Sequence, residues 1–414
     1  MVSWLADRGA GREEPGGQMH IQFRPGLRTV WRGAGSVQVG LSGRRGTVLD
    51  GLTAADARVI EGLRTETGLR DAPARSTEQR QRELIGLLDE AGVLLTQEHP
   101  PRPGSAVAEP DRLAPDAALW SRVHPASGDG WPLIERRAAQ RVLVAGTGRL
   151  GSTLAATLAA AGVGQLCLLD DARVTAADIG PAAARRADLG RTRQDAAADA
   201  VLRAGGRAST ATSVPGQVLG RAGRSRDDTG AVDLVVLVEY AVADAAGADV
   251  LVAHDVPHLS VVIREDDILV GPMVRPGAGP CLRCLDLHRS ERDPAWPSVL
   301  AQSVNRPADG PREESALSML AAGLAAMQVL AQLDGLAEPA AAGATLEVEP
   351  PDGLIARRPW PAHPSCGCHW PLRATPVAAG DVTGDELGVR PGAGAGPDAP
   401  ADAPAGHNGR RMGS

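Results

Sequence analysis

Residues 141–170, RVLVAGTGRLGSTLAATLAAAGVGQLCLLD, decide the fold. Arg141–Ala145 is an apolar run of the kind a buried strand needs, and it leads straight into Gly146-Thr147-Gly148-Arg149-Leu150-Gly151. The pattern predicts a helix over Ser152–Ala161 and a second strand over Gln165–Leu169 that ends on Asp170. Strand, glycine turn, helix, strand and acid in that order describe a dinucleotide-type βαβ unit. The first glycine permits the turn, the second lets backbone approach a phosphate, and the third lets helix and strand pack closely. Asp170 stands where an acid would bond a ribose hydroxyl. From about Glu135 to Trp370 strands and helices go on alternating, as in a mostly parallel sheet.

The five cysteines are grouped in a way that points to metal rather than disulfides. Cys281 and Cys284 form a CxxC knuckle, and Cys366 and Cys368 form a CxC pair far downstream. Four thiolates are the number a tetrahedral structural Zn²⁺ takes, and a closed site of this kind has no open position for catalysis. His288, His363 and His369 are the substitute ligands if one cysteine is excluded. Cys167 lies mid-strand in QLCLL and reads as a small buried hydrophobe, not a nucleophile.

Outward from this core the chain changes character. Residues 1–18 are rich in Gly and Glu and read as unordered. Residues 19–98 read as a small module: short strands over Ile21–Phe23, Thr29–Trp31, Ser36–Gly40 and Gly46–Leu49, then a helix capped by Thr53 with Asp56 three residues on. A second helix, Thr77–Ala91, ends at Gly92, and Val93–Leu95 closes the unit in a winged-helix layout. Residues 99–132 hold seven prolines and read as a linker to the α/β domain at 133–372. Residues 373–414, with their PGAGAGPDAPADAPAG stretch, offer nothing to pack and read as a disordered tail.

The 414 residues carry a net charge of −7, and all 43 basic residues are arginine. A nucleic-acid partner would require a basic excess, so none is expected. The most apolar stretch, Leu317–Leu333, is short for a membrane span and carries Gln328 and Gln332, so it reads as a core helix. No secretory signal opens the chain, and a cytoplasmic protein is expected.

The stretch GTGRLGSTLAATLAAAGVGQLCLLDDARV resembles the ThiF/MoeB/ubiquitin-activating superfamily, above all in AGVGxLxLLD. The resemblance implies a Rossmann-like ThiF-type domain whose nucleotide would meet Gly146, Gly148, Arg149, Gly151, Asp170 and Arg193. It also implies losses. The family's second Asp is Ala172 here, its Asn is Asp178, its Arg is Pro181, its Lys is Arg193, and its magnesium-binding Asp falls on Tyr240. Arg149 stands where the family has a further glycine, and it crowds the phosphates. Adenylation depends on preorganised positive charge, and each lost donor costs roughly 10²–10³ in rate. No catalytic residue is assigned with ATP and Mg²⁺ so weakly provided for; if the site were active, Arg193 and Glu239 would have to serve.

A narrower resemblance rests on GPMVRPGAGPCLRCLDLHRSERDPAWPSVLAQ and HPSCGC. Both are similar to the ThiF-like proteins of azole-forming (TOMM) peptide clusters, whose N-terminal winged-helix module is a recognition element for precursor leader peptides. That resemblance implies an α/β protein with a structural zinc site that binds a leader peptide and presents it to a YcaO-type cyclodehydratase. The alternative is an ATP-dependent adenylyltransferase acting on a peptide or carrier-protein carboxylate. The helix Glu314–Leu333 resembles the one at the superfamily's dimer interface, so a homodimer is implied as well.

Overall fold

Capping and alternation set the N-terminal elements. Strands β1 (His20–Phe23), β2 (Thr29–Gly33), β3 (Ser36–Val39) and β4 (Thr47–Leu49) precede α1 (Ala54–Leu63). Then come β5 (Leu69–Arg70), α2 (Glu78–Glu90) and β6 (Leu94–Gln97). Thr53 caps α1 and forms a reciprocal capping box with Asp56, which satisfies two amides at the helix start. The strands make two antiparallel sheets, ordered β5-β1-β6 and β2-β3-β4. Ile21, Phe23, Val37, Val39, Ile60 and Leu88 share one core between them. This computed structural model describes residues 20–64, 69–70, 78–97, 107, 109–213, 232–304 and 313–368. The segments read as unordered, 1–18 and 373–414, lie outside the described residues.

The proline-rich stretch is not all linker. Pro110–Val123 forms α3, followed by α4 (Trp131–Ala138). Pro110 and Pro132 fall in the first turn of their helices, where the missing N–H has no partner to lose. Pro115 lies inside α3, and burial of Leu113 and Ala117 against Trp131 and Ile134 holds the helix around it. Counting prolines as breakers misread positions that helices tolerate.

The main sheet contains β7 (Arg141–Ala145), β8 (Gln165–Leu169), β9 (Ala208–Thr210), β10 (Leu234–Tyr240), β11 (His258–Ile263), β12 (Ile268–Val274), β13 (Ala344–Val348) and β14 (Ile355–Pro359). Its order is β14-β13-β12-β11-β10-β7-β8-β9. The five strands from β11 to β9 run parallel, and β12, β13 and β14 extend the sheet antiparallel. From β7 the chain winds outward in both directions, so β7 and β10 flank a switch point, the place where α/β sheets open a crevice. The helix after the glycine loop, α5 (Arg149–Ala160), starts at Arg149 rather than Ser152, directly on Gly148.

Each face of the sheet has its own core. On one, α5 and α10 (Ser315–Asp334) cover Val142, Val144, Val236, Val261 and Val270. Small side chains (Ala321, Ala322, Ala325 and Ala326) let α10 lie close, so this long apolar helix serves as core. Its C-terminal end is tied down by Asp334, which accepts from Arg137 Nε at 2.9 Å and Nη2 at 2.6 Å; both side chains are buried. On the other face, α7 (Ala245–Ala253) and α8 (Leu282–Arg292) cover Leu143, Val235, Leu237 and Val262. Helices α6 (Arg193–Arg203) and α9 (Trp296–Ser303) complete the described set.

Candidate functional site: a glycine crevice and a four-thiolate clamp

The glycine loop has the backbone its sequence demands. Gly146 adopts φ +87°, and a Cβ there would run into the Val238 carbonyl. A Cβ on Gly151 would strike the carbonyl of Gly146. Both positions therefore admit only glycine. Asp170 reaches the loop, but both its oxygens are taken by main chain: Thr147 N–H donates to Oδ2 at 2.8 Å and Ala172 N–H to Oδ1 at 3.1 Å. Burial raises the Asp170 pKa, and these amides and Arg193 work against that rise.

Gly148 is the glycine that would let a phosphate approach, and a carboxylate is there already. Glu313 Oε2 accepts from Leu150 N–H at 2.5 Å, and the Tyr240 hydroxyl donates to Glu313 Oε1. A Cβ on Gly148 would collide with that same oxygen. Arg149 folds over the segment, its Nη1 donating to the Glu313 carbonyl at 2.6 Å and to Ser315 Oγ at 3.0 Å. A negative group at a helix N-terminus gains from the exposed amides and the helix dipole, which is how phosphates are held. Here Glu313 collects that stabilisation. Burial raises its pKa, with the Tyr240 and Leu150 hydrogen bonds opposing, and burial together with Glu313 raises that of Tyr240.

Arg193 begins α6, where Thr192 accepts from Asp195 N–H as the cap. Its Nη2 lies 2.9 Å from Asp178 and its Nη1 3.8 Å from Asp170. Burial opposes its charge, but those two carboxylates hold its pKa above the ordinary value. Asp170, Asp178 and Glu313 thus face Arg149 and Arg193, three carboxylates against two guanidinium groups, in the crevice beside the glycine loop. Glu239 does not repair the lost magnesium ligand. Successive residues of a strand face opposite ways; Tyr240 packs with the α5 side of the sheet, whereas Glu239 turns the other way and accepts from Asp244 N–H at 3.0 Å. Burial pushes its pKa up to about 7, and its Oε2 has no partner among the described residues. Neither Tyr240 nor Glu239 thus presents a carboxylate to the crevice.

The cysteines do converge. Cys281 caps α8 and lies, sulfur to sulfur, 3.9 Å from Cys284 and 3.4 Å from Cys366; Cys284 is 3.3 Å from Cys368. All four sulfurs lie within 4.8 Å of one another. A tetrahedral zinc with Zn–S bonds of about 2.3 Å needs S–S edges of about 3.8 Å. The set therefore fits one metal ion, and holding it would staple residues 366–368 to α8. Cys167 lies apart in β8, where burial raises its pKa.

The histidines predicted as substitute ligands face elsewhere. His363 Nε2 lies 2.9 Å from Glu291 Oε1, and His288 Nδ1 lies 3.6 Å from Glu291 Oε2. Ser365 N–H donates to His363 Nδ1 at 3.1 Å, so this ring braces the turn that presents Cys366. His369 is outside the described residues. Glu313 was missed in the sequence because it meets Leu150 and Tyr240 across a long stretch of chain, and Glu291, although three residues from His288, reaches His363 only across 72 positions.

A βαβ crevice at a sheet switch point, with four convergent cysteine sulfurs on the opposite face, defines a nucleotide-type α/β domain with a cluster that could hold a metal ion. A model of the ThiF family matches residues 127–369, more than half of the chain, and the chain belongs to that family. No curated protein sequence matches it. Among solved structures, Escherichia coli MccB bound to MccA-N7isoASN is similar at TM-score 0.60 and 15% identity, covering 84% of this chain and 99% of that one. E. coli MccB with ATP gives TM-score 0.58 at 15% identity, with coverage of 84% and 99%. PaaA gives 0.58 at 15%, covering 80% of this chain and 98% of its own.

Proposed function

We propose that this chain is a non-adenylating scaffold of ribosomal-peptide modification, which binds a precursor leader peptide through residues 19–98 and presents it to a YcaO-type cyclodehydratase. The observation that carries this reading is the Glu313 carboxylate seated against Gly148 and Leu150 N–H and held by Tyr240, the residue that stands at the family's magnesium position. A triphosphate entering the crevice would have to expel that carboxylate and would meet Asp170 and Asp178 beyond it. Like charges at such range raise the barrier, and a Tyr in place of Asp offers Mg²⁺ no carboxylate.

Each part then has a physical task. The four thiolates hold Zn²⁺, which contributes folding free energy and fixes the end of the domain against α8. Precursor binding is supported by the similar MccB structures, which were solved with MccA-N7isoASN and with N-formylated MccA. The apolar side chains that α10 and the β13–β14 hairpin leave in the open, Met319, Leu320, Met327, Leu354 and Ile355, suit a second copy of the chain. The rival reading is an ATP-dependent adenylyltransferase working on a peptide or carrier-protein carboxylate, using the glycine loop, Asp170, Arg193 and Glu239. ATP–pyrophosphate exchange in the presence of the precursor separates the two. Leader binding without exchange is the expected result; exchange above background defeats the scaffold reading.

A further inference from the structure

A groove of about 700 Å³ runs between the N-terminal module and α3, and its chemistry is one-sided. Five arginines line it (Arg24, Arg28, Arg44, Arg45 and Arg122) with no Asp or Glu among the lining residues. The chain as a whole has 50 acidic residues against 43 basic ones, so such a wall is a local departure from its own composition.

Three of these guanidinium groups are fixed by main-chain carbonyls. Buried Arg24 donates to the carbonyls of Gly92 at 2.9 Å, Ser121 at 3.0 Å and Gly128 at 2.7 Å. Arg45 donates to the carbonyls of Arg122 at 3.0 Å and Val123 at 2.6 Å, and Arg122 to that of Pro25. A carbonyl positions a cation without cancelling its charge. Asp89 acts on Arg24 from α2 but does not line the groove. Arg28 and Arg44 are exposed and have no ion-pair partner among the described residues. Beside them stand two leucines in the open, Leu41 at 61% exposure and Leu119 at 48%. The groove has no aromatic lining on which bases could stack, as single-stranded nucleic acid would require.

We infer that this groove seats a peptide segment carrying carboxylates and at least one apolar side chain, and that the leader's acidic stretch docks here. The inference rests on the proposed function for the identity of the peptide as a leader, and it adds where and by what chemistry the leader is held. Prefixed cations bind a carboxylate without first being ordered, which lowers the cost of association. The seat is composite. The turn between β1 and β2, the β3–β4 loop and the end of α2 supply two walls, and Leu119, Arg122 and Val123 of α3 supply the third. Residues 19–98 alone lack that third wall.

The test pans a random twelve-residue phage-display library against the full chain, then measures a selected peptide by fluorescence anisotropy against the wild type and the R28E/R44E double variant. Both substituted side chains are exposed, so the fold is kept; circular dichroism checks it. The expected results are a pool enriched in Asp and Glu, binding at least tenfold weaker to R28E/R44E, and weakening as salt rises from 50 to 300 mM. A pool without that enrichment, affinity unchanged in the double variant, or displacement of the peptide by single-stranded dT12 would overturn the inference. The same measurement with a synthetic leader peptide of an azole-forming precursor keeps the two proposals apart. Precursor binding that R28E/R44E leaves intact removes the groove but not the scaffold; no precursor binding removes the scaffold but not the groove's affinity for acidic peptides.

Discussion

Replacing Glu313 with Ala probes the contact on which the crevice turns. The substitution removes an acceptor from Leu150 N–H and from the Tyr240 hydroxyl, and leaves both donors without their partner. Two orphaned groups cost about 1–3 kcal/mol each, and relief of an unfavourably buried carboxylate returns part of it, so E313A is expected to lose about 3 kcal/mol. For a domain of this size that lowers Tm by about 6–12 °C. Tyr240→Phe removes one hydrogen bond and is expected to cost about 1 kcal/mol. Because the two residues share that bond, the double variant should be more stable than the sum of the singles implies, by about 1–2 kcal/mol. Urea unfolding of all four proteins gives the coupling directly. A coupling below about 0.5 kcal/mol would mean that Tyr240 and Glu313 act independently, and the picture of a latched carboxylate would fail.

Other expectations follow from the same geometry. Glu239 binds its proton more tightly folded than unfolded, with a pKa raised from 4.5 to about 7. Its penalty is absent below about pH 4.5, grows as pH rises through that window and is complete above about 7. Glu239→Gln should therefore be more stable than wild type at pH 8, by up to about 3 kcal/mol, and lose that advantage at pH 4.5; a pH-independent difference refutes it. Asp334→Ala strands a buried guanidinium and should cost about 3–5 kcal/mol in chemical denaturation, while a loss below about 1 kcal/mol would contradict the buried pair. Native mass spectrometry should find one zinc per chain, and stripping it with a chelator should expose four thiols to a colorimetric reagent and lower Tm. Absence of metal, or an unchanged Tm after stripping, would dismiss the clamp.

What could be read in advance was what is local in the chain. The glycine loop, the Thr53–Asp56 capping box and the two cysteine pairs each lie within a few residues, so spacing alone identified them. That the pairs meet was inferred from ligand number, since nothing between residues 284 and 366 announces it. The helix at Pro110–Val123 was hidden because prolines that start a helix look the same in composition as prolines that break one. The side on which Glu239 falls was legible from strand alternation once Tyr240 was placed, although as a neighbouring carboxylate it looked like a substitute ligand. Glu313 was not legible at all. It follows residues 305–312, which lie outside the described residues, and reaches Leu150 across 163 positions of chain. Only the folded sheet brings them together.

Isothermal titration of ATP and Mg²⁺ into the wild-type chain, with E313A/Y240F alongside, bears most directly on whether the crevice has exchanged a nucleotide for its own carboxylate. The wild type should give no binding heat at 1 mM nucleotide, and the double variant should give a measurable isotherm. Tight one-site binding by the wild type, unaffected by removing Glu313, would contradict the account.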